Sequence, residues 1–139
     1  MKEYNGFTGD ERNKAGAIIR RAIKSGKVAP PTKCCLCSQE KGLLHYHLED
    51  YSKPLQNLKP ICVGCHMRLH IRFEYPNLWK KHLHDLQAGK NSPAYTSTLG
   101  FFHTMRKAGI TKDIGEVSMV ENPKEWYELL LLTPINLKP

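Results

Sequence analysis

Apolar positions along the chain fall into helical spacing in several stretches and into strand spacing in one short stretch. Ala15, Ile18, Ile19, Ala22 and Ile23 recur at helical intervals and predict a first helix from Arg12 to Lys24. Arg12, Arg20, Arg21 and Lys24 lie around its other side, Gly26 is its stop, and Pro30-Pro31 holds the next residues extended. Residues 1–11, with Asn5, Gly6 and Gly9, read as irregular. After Gly42 the run LLHYHL reads as a strand, with Leu43, His45 and His47 on one face and Leu44, Tyr46 and Leu48 on the other. A second short strand is expected near Leu58–Ile61, shortened or held at an edge by Pro60. A helix from Gly64 or Cys65 carries Met67, Leu69 and Ile71, and Pro76 opens another that runs through Leu86 to a stop at Gly89. Its apolar side is Leu78, Trp79, His82, Leu83 and Leu86.

Beyond a loop at 89–98, Leu99 to Ala108 predicts a short helix burying Phe101, Phe102, Met105 and Ala108. Asn122 as N-cap, Pro123 at the first helical position and Glu125 as capping-box partner predict a last helix through WYELLLL, ended by Pro134 and followed by a tail. That helix is apolar nearly all round, so it completes the core or serves as the surface of a homodimer. These elements set an α+β class: two short antiparallel strands and a helix embedded in a mostly helical chain. Three regions are expected: a basic arm and helix over 1–33, a central module over 34–75, and a helical extension over 76–139 that packs on it and contributes dimer contacts or specificity for a partner.

Charge sharpens this picture. The net charge is +8, and residues 1–33 hold eight Lys or Arg against three acids, residues 66–90 five against two. A basic arm and a basic helix flanking a neutral centre suit a phosphate backbone. No apolar run approaches the ~20 residues of a membrane span. The start, MKEYNGFTGDERNK, lacks the apolar stretch of a secretory signal, so a cytoplasmic setting without membrane contact is expected.

The chemistry is concentrated between Cys34 and His70. Cys34/Cys37 and Cys62/Cys65 form two Cys-x2-Cys pairs, the spacing of one tetrahedral zinc at ~2.3 Å Zn–S. In such pairs metal is favoured over disulfides. Cys35 is left as a free thiol, because its Cα–Cβ vector diverges from that of Cys34. The ion supplies folding energy outright in a stretch with so little core of its own. The twenty-four residues between Cys37 and Cys62 leave room for a second site. His45, His47, His66 and His70, at i,i+2 and i,i+4, are not needed by the zinc. Imidazoles with a carboxylate suit a hydrolytic divalent cation such as Mg²⁺, Mn²⁺, Zn²⁺ or Ni²⁺.

Over residues 12–75 the chain resembles the HNH (ββα-metal) endonucleases, in the small phage and bacterial version braced by a four-cysteine zinc. The resemblance is carried by the lead-in AIIRRAIKSGKVAPPTKCCLC, the His-bearing strand, Asp50-Tyr51-Ser52-Lys53-Pro54-Leu55, Asn57-Leu58 and Cys62-x2-Cys65-His66-x3-His70. It implies a metal-dependent DNA endonuclease that leaves 5′-phosphate and 3′-hydroxyl ends. His47 falls on the general base for water, Asn57 on the residue supporting its hairpin, and His66 and His70 on the cation ligands. His45, Glu49 or Asp50 is available to complete the coordination. Tyr46 and Leu48 depart from the family pattern and leave two registers. In one, His47 is the base and Tyr46 replaces a ligand; in the other, His47 is a ligand and Leu48 replaces the base. Arg12, Arg20, Arg21, Lys24, Lys53, Arg68 and Arg72 are the expected contacts to DNA, with Arg72 gripping the scissile strand. The competing functions are a non-catalytic DNA-binding or inhibitory module on the same scaffold, and a zinc-ribbon-like interaction protein.

Overall fold

The computed structural model describes residues 1–136. The architecture is α+β, with a small ββα motif set within a predominantly helical chain. In order the elements are α1 (Gly9–Lys24), β1 (Leu44–His47), β2 (Lys59–Cys62), α2 (Val63–His70), α3 (Pro76–Gln87) and α4 (Thr98–Lys107). The two strands pair antiparallel, with Leu44 opposite Cys62, His45 opposite Ile61, Tyr46 opposite Pro60 and His47 opposite Lys59. Pro60 has no N–H to donate, which two-stranded pairing tolerates because each strand keeps a free edge. Its carbonyl accepts from Cys35 N at 2.8 Å and ties the first cysteine pair to β2.

Helix α1 begins at Gly9 rather than Arg12. Thr8 caps it: its hydroxyl accepts from Glu11 N at 3.2 Å, while Glu11 Oε1 accepts from Thr8 N at 3.0 Å. The residues before it form a tight turn instead of an irregular lead. Tyr4 and Phe7 exchange backbone hydrogen bonds at 3.0 and 2.9 Å across Asn5 (φ 53°) and Gly6 (φ 83°). Two successive positive φ values define the type I′ turn that Asn-Gly favours.

The C-terminal helix expected at 123–132 does not form. Asn122 has φ 52°, and 126–129 make a turn closed by Glu128 N on Glu125 O at 3.0 Å. The cap signals are overridden because the segment's polar groups are claimed across the molecule. Leu131 O accepts from Arg72 Nε at 2.9 Å, and Ile135 N donates to Asn5 Oδ1 at 2.7 Å. Leu129 and Leu131 are left exposed, while Trp126, Leu130 and Leu132 pack against the core without forming a helix. The expected tail is anchored through Asn136, whose Nδ2 donates to Gly6 O at 3.2 Å; its last residues, 137–139, lie outside the described residues.

Helix α2 sits at the centre, against β1, β2, α3 and α4. Its first turn meets residue 92 so closely that a Cβ on Gly64 would overlap the Ser92 hydroxyl and force that side chain to turn away. Leu69, Trp79 and Leu83 are fully buried beside it, each worth ~1.5–3 kcal/mol of transfer free energy. Helix α3 opens on Pro76 without a local side-chain cap; Asp113 caps it from a distance, accepting from Asn77 N at 3.1 Å and Leu78 N at 3.0 Å. In α4 Phe101 is buried, Phe102 and Met105 are half-buried, and Ala108, expected inside, is exposed.

Candidate metal centre

The two cysteine pairs come together from different local structures. Cys34 and Cys37 sit in a turn closed by Ser38 N on Cys34 O at 3.0 Å. Cys62 ends β2 and is the N-cap of α2, and Cys65 lies in that helix's first turn. The four sulfurs are buried and all within 4.8 Å of one another, none in a disulfide. Without a cation they frustrate each other. Hydrogen bonds from Cys37, Cys62 and Cys65 lower the Cys34 thiol, while those with Cys34 hold the Cys62 and Cys65 protons on. A buried set of four soft donors in this state fits a structural Zn²⁺. His82, from α3, adds a contact: its Nε2 lies 3.3 Å from Cys65 Sγ. Burial pushes the His82 imidazole down to about 3, so it is neutral, and with its ring N–H on Nε2 it donates to a zinc-bound thiolate at Cys65. Cys35 stands outside the group, exposed, with its thiol pushed up to about 11 by burial of the sulfur and by Cys34.

The second cluster is built from β1 and α2. His45 and His47 share a strand face and turn their rings toward His66, at centroid distances of 5.1 and 5.2 Å. His66 and His70, one helical turn apart, meet with Nε2 atoms 2.8 Å apart. His47, His66 and His70 each bring a nitrogen within 4.8 Å of the others, a group able to hold a second ion. Burial pushes His66 and His70 well below the ordinary histidine value, and lowers His45 and His47 too. All four are therefore neutral near pH 7, as ligation requires.

His47 is oriented by a carboxylate. Its Nε2 lies 2.6 Å from Glu49 Oε1, and its Nδ1 is buried with no hydrogen-bond partner. With the ring N–H on Nε2, the Nδ1 lone pair is free among the other imidazoles, which is the arrangement a cation needs. Glu49 is itself the hub of a long-range network. It accepts from Tyr4 Oη at 2.6 Å, Asn5 Nδ2 at 3.0 Å and Arg72 Nη2 at 3.1 Å. Burial alone would raise its carboxyl, but the hydrogen bond from His47, the Arg72 charge and the Tyr4 hydroxyl hold it below the usual range. The acceptor beside the His47 ring is thus Glu49.

Other expected site residues take different places. Asp50 is not in the histidine group; it accepts from Ser52 N at 3.0 Å and from the Ser52 hydroxyl, closing a turn. Asn57 is exposed with φ 58° and shapes the loop into β2. Arg72, expected on the scissile strand, is 0% exposed; its guanidinium is spent on Leu131 O, Tyr4 Oη, Leu69 O and Glu49, leaving nothing for DNA. Arg68 is half-buried, donating to Gly64 O at 3.0 Å and lying over Phe101. Arg12 is half-buried between Tyr4 and Tyr51, 5.4 Å from each ring. Arg20, Arg21, Lys24 and Lys53 are exposed. Tyr46 points away from the cluster, its hydroxyl donating to Ala29 O, and Leu48 is 4% exposed in the core.

Among the described residues no helix is long and apolar enough to cross a membrane. Comparisons with family models, with curated proteins and with solved structures returned no match to this chain. The ββα core with its buried four-cysteine cluster is consistent with an HNH-like ββα-metal fold.

Proposed function

We propose that the chain is a metal-dependent DNA endonuclease in which His47, His66 and His70 hold the cation and Cys34, Cys37, Cys62 and Cys65 hold a structural zinc. The observation that carries this reading is the buried group of His47, His66 and His70, each with a nitrogen within 4.8 Å of the others, in which His47 Nδ1 has no hydrogen-bond partner. A divalent ion there would polarise a phosphodiester oxygen and lower the pKa of a bound water. His47 is 1% exposed with its Nε2 taken by Glu49, which favours the role of ligand over that of general base.

Glu49 keeps the His47 proton on Nε2. His45 does the matching work for His66: its Nδ1 lies 2.9 Å from His66 Nδ1. With His66 Nε2 given to the ion, His66 carries its proton on Nδ1 and donates it to His45 Nδ1. His45 is then a positioning residue. Asn57 contributes through the loop rather than through a reacting atom. Arg20, Arg21, Lys24 and Lys53 contact the DNA backbone, and the products carry 5′-phosphate and 3′-hydroxyl ends.

Elemental analysis should find two metal ions per chain. Plasmid should be nicked with at least one of Mg²⁺, Mn²⁺, Zn²⁺ or Ni²⁺, and His70→Ala should abolish nicking while one zinc is retained. Wild-type protein that binds DNA but cuts neither plasmid nor single-stranded DNA with any of the four ions sinks the reading. That outcome supports the non-catalytic alternative, which the burial of Leu48 beside His47 favours, since no second histidine stands there.

A further inference from the structure

A cleft of about 650 Å³ opens between the N-terminal segment and α4, with His70 in its floor. His70 is half-buried whereas His47 and His66 are buried, so the histidine cluster meets solvent on this side. The walls carry two kinds of chemistry. Lys2 and Arg12 on one side and Arg106 on the other supply three cations, against the carboxylates of Glu3 and Glu74. Between them lie the aromatic side chains of Tyr75 and Phe102. The Tyr75 ring is fixed, its hydroxyl donating to Thr111 O at 3.2 Å, and Phe102 rests edge-on against buried Phe101, at 5.2 Å between ring centroids.

A continuous duplex gives such a cleft little to hold. Its outer surface presents phosphate and sugar, and its base faces are stacked inside. An unstacked nucleotide presents both a charged phosphate and a flat base, and the volume is in the range of a small-molecule site. Extracting a paired base from a duplex costs a few kcal/mol, a cost that an unpaired strand largely escapes.

We infer that this cleft takes one unstacked nucleotide of single-stranded DNA, its base against Phe102 and Tyr75 and its phosphate between Arg106, Arg12 and His70. The assignment rests on the endonuclease reading and narrows its substrate to DNA that is unpaired beside the bond to be cut.

The test is fluorescence anisotropy with the full zinc-loaded chain and no added divalent cation, so that no turnover is needed. The probes are a short fluorescein-labelled oligothymidylate and a duplex of the same length, at fixed salt. The single strand should bind more tightly. Phe102→Ala should weaken that binding about five- to a hundredfold, the range for loss of a base–aromatic stack, with duplex affinity unchanged. Because Phe102 is half-buried, Arg106→Ala at an exposed position supplies the second arm; it should weaken single-strand binding and flatten its salt dependence. Equal or tighter duplex binding, or either variant leaving single-strand affinity unchanged, overturns the assignment. Single-strand binding with the expected pattern but no cutting of single-stranded DNA or plasmid under any cation removes the hydrolytic reading and leaves the cleft standing. Nicking that persists with both cleft variants binding as wild type removes the cleft alone.

Discussion

Replacing Glu49 by alanine removes four hydrogen bonds at once, to His47, Tyr4, Asn5 and Arg72. The largest cost falls on Arg72, which is fully buried and loses its only carboxylate among the described residues. Breaking a buried pair from one side costs ~3–5 kcal/mol. The Glu49 side chain is 21% exposed, so water reaches part of the gap, and ~2–4 kcal/mol is the better expectation after allowing for that screening. Against a total of ~5–15 kcal/mol for a domain, this is a large fraction. Thermal unfolding should shift down by on the order of 10 °C. The second effect is specific to the histidine cluster. Without the carboxylate, His47 is free to choose its tautomer, and affinity for the second ion should fall ~10–100-fold, while the cysteine-bound zinc stays. Differential scanning calorimetry and titration of the zinc-loaded chain with Co²⁺ or Ni²⁺ read the two effects separately. Glu49→Gln keeps the size but loses the charge, and should fall between alanine and wild type in both. A Glu49→Ala variant that binds the second ion as tightly as wild type would refute the orienting role of Glu49. One that melts at the wild-type temperature would refute the claim that Arg72 depends on it.

Three further outcomes test the remaining structure. His82→Phe keeps the bulk of the side chain but removes the N–H on Cys65 Sγ, so transfer of the structural zinc to a chelator should tighten in the chelator's favour by ~10–100-fold. The visible spectrum of the cobalt-substituted chain should shift as well; an unchanged spectrum and unchanged retention count against that bond. Cys35→Ser should leave the structural zinc in place, whereas Cys62→Ser should lose it and unfold the centre of the molecule, as elemental analysis and circular dichroism would report. Asp113→Ala should cost ~1–2 kcal/mol by uncapping α3. Burial pulls the Asp113 carboxyl up, but the N–H groups of Asn77, Leu78 and Ile114 outweigh it and hold it below its ordinary value. A depressed carboxylate contributes its stability above the unfolded pKa and loses it only as pH falls through the folded one. The melting gap between wild type and Asp113→Ala should therefore stay constant from about pH 8 to about pH 5.5. Narrowing within that window contradicts the cap.

Local signals account for much of what was legible. The two strands and helices α2 to α4 lie within a residue or two of the spans their periodicity predicts, because each buries the stripe its spacing defines. The four-cysteine group was legible because Cys-x2-Cys is itself a local geometry. Two misses had readable signals: Thr8-x-x-Glu11 caps α1, and Asn5-Gly6 is the strongest short hairpin dipeptide. The C-terminal helix is a miss of another kind. Its cap residues are sound, but the segment serves as a strap whose carbonyl and N–H groups bond to Arg72 and Asn5, each far away in sequence. No local pattern encodes such partners, and the same blindness placed Arg72 on DNA when its charge is needed inside.

The same long-range contacts bear on the ambiguity at Tyr46-His47-Leu48. His47 ends β1 and Glu49 stands two residues on, near enough along the chain for their side chains to meet. What spacing could not supply is the anchoring of Glu49 by Tyr4, Asn5 and Arg72, which makes it a fixed acceptor rather than a mobile ligand. Once Glu49 takes Nε2, one lone pair of His47 remains, and the imidazole is 1% exposed. A base needs that lone pair to meet water, and a ligand needs it to meet an ion shared with the other imidazoles; the burial of His47 favours the second, which is the assignment proposed. Tyr46 is then no lost ligand, since its hydroxyl is engaged with Ala29 O on the other side of the strand. The open question moves from which histidine is the base to whether the bound cation alone activates water. A pH–rate profile for nicking decides it: cation activation makes the lower limb follow the identity of the metal, whereas a limb that stays fixed across Mg²⁺, Mn²⁺ and Ni²⁺ and disappears in His47→Ala would restore His47 as the base.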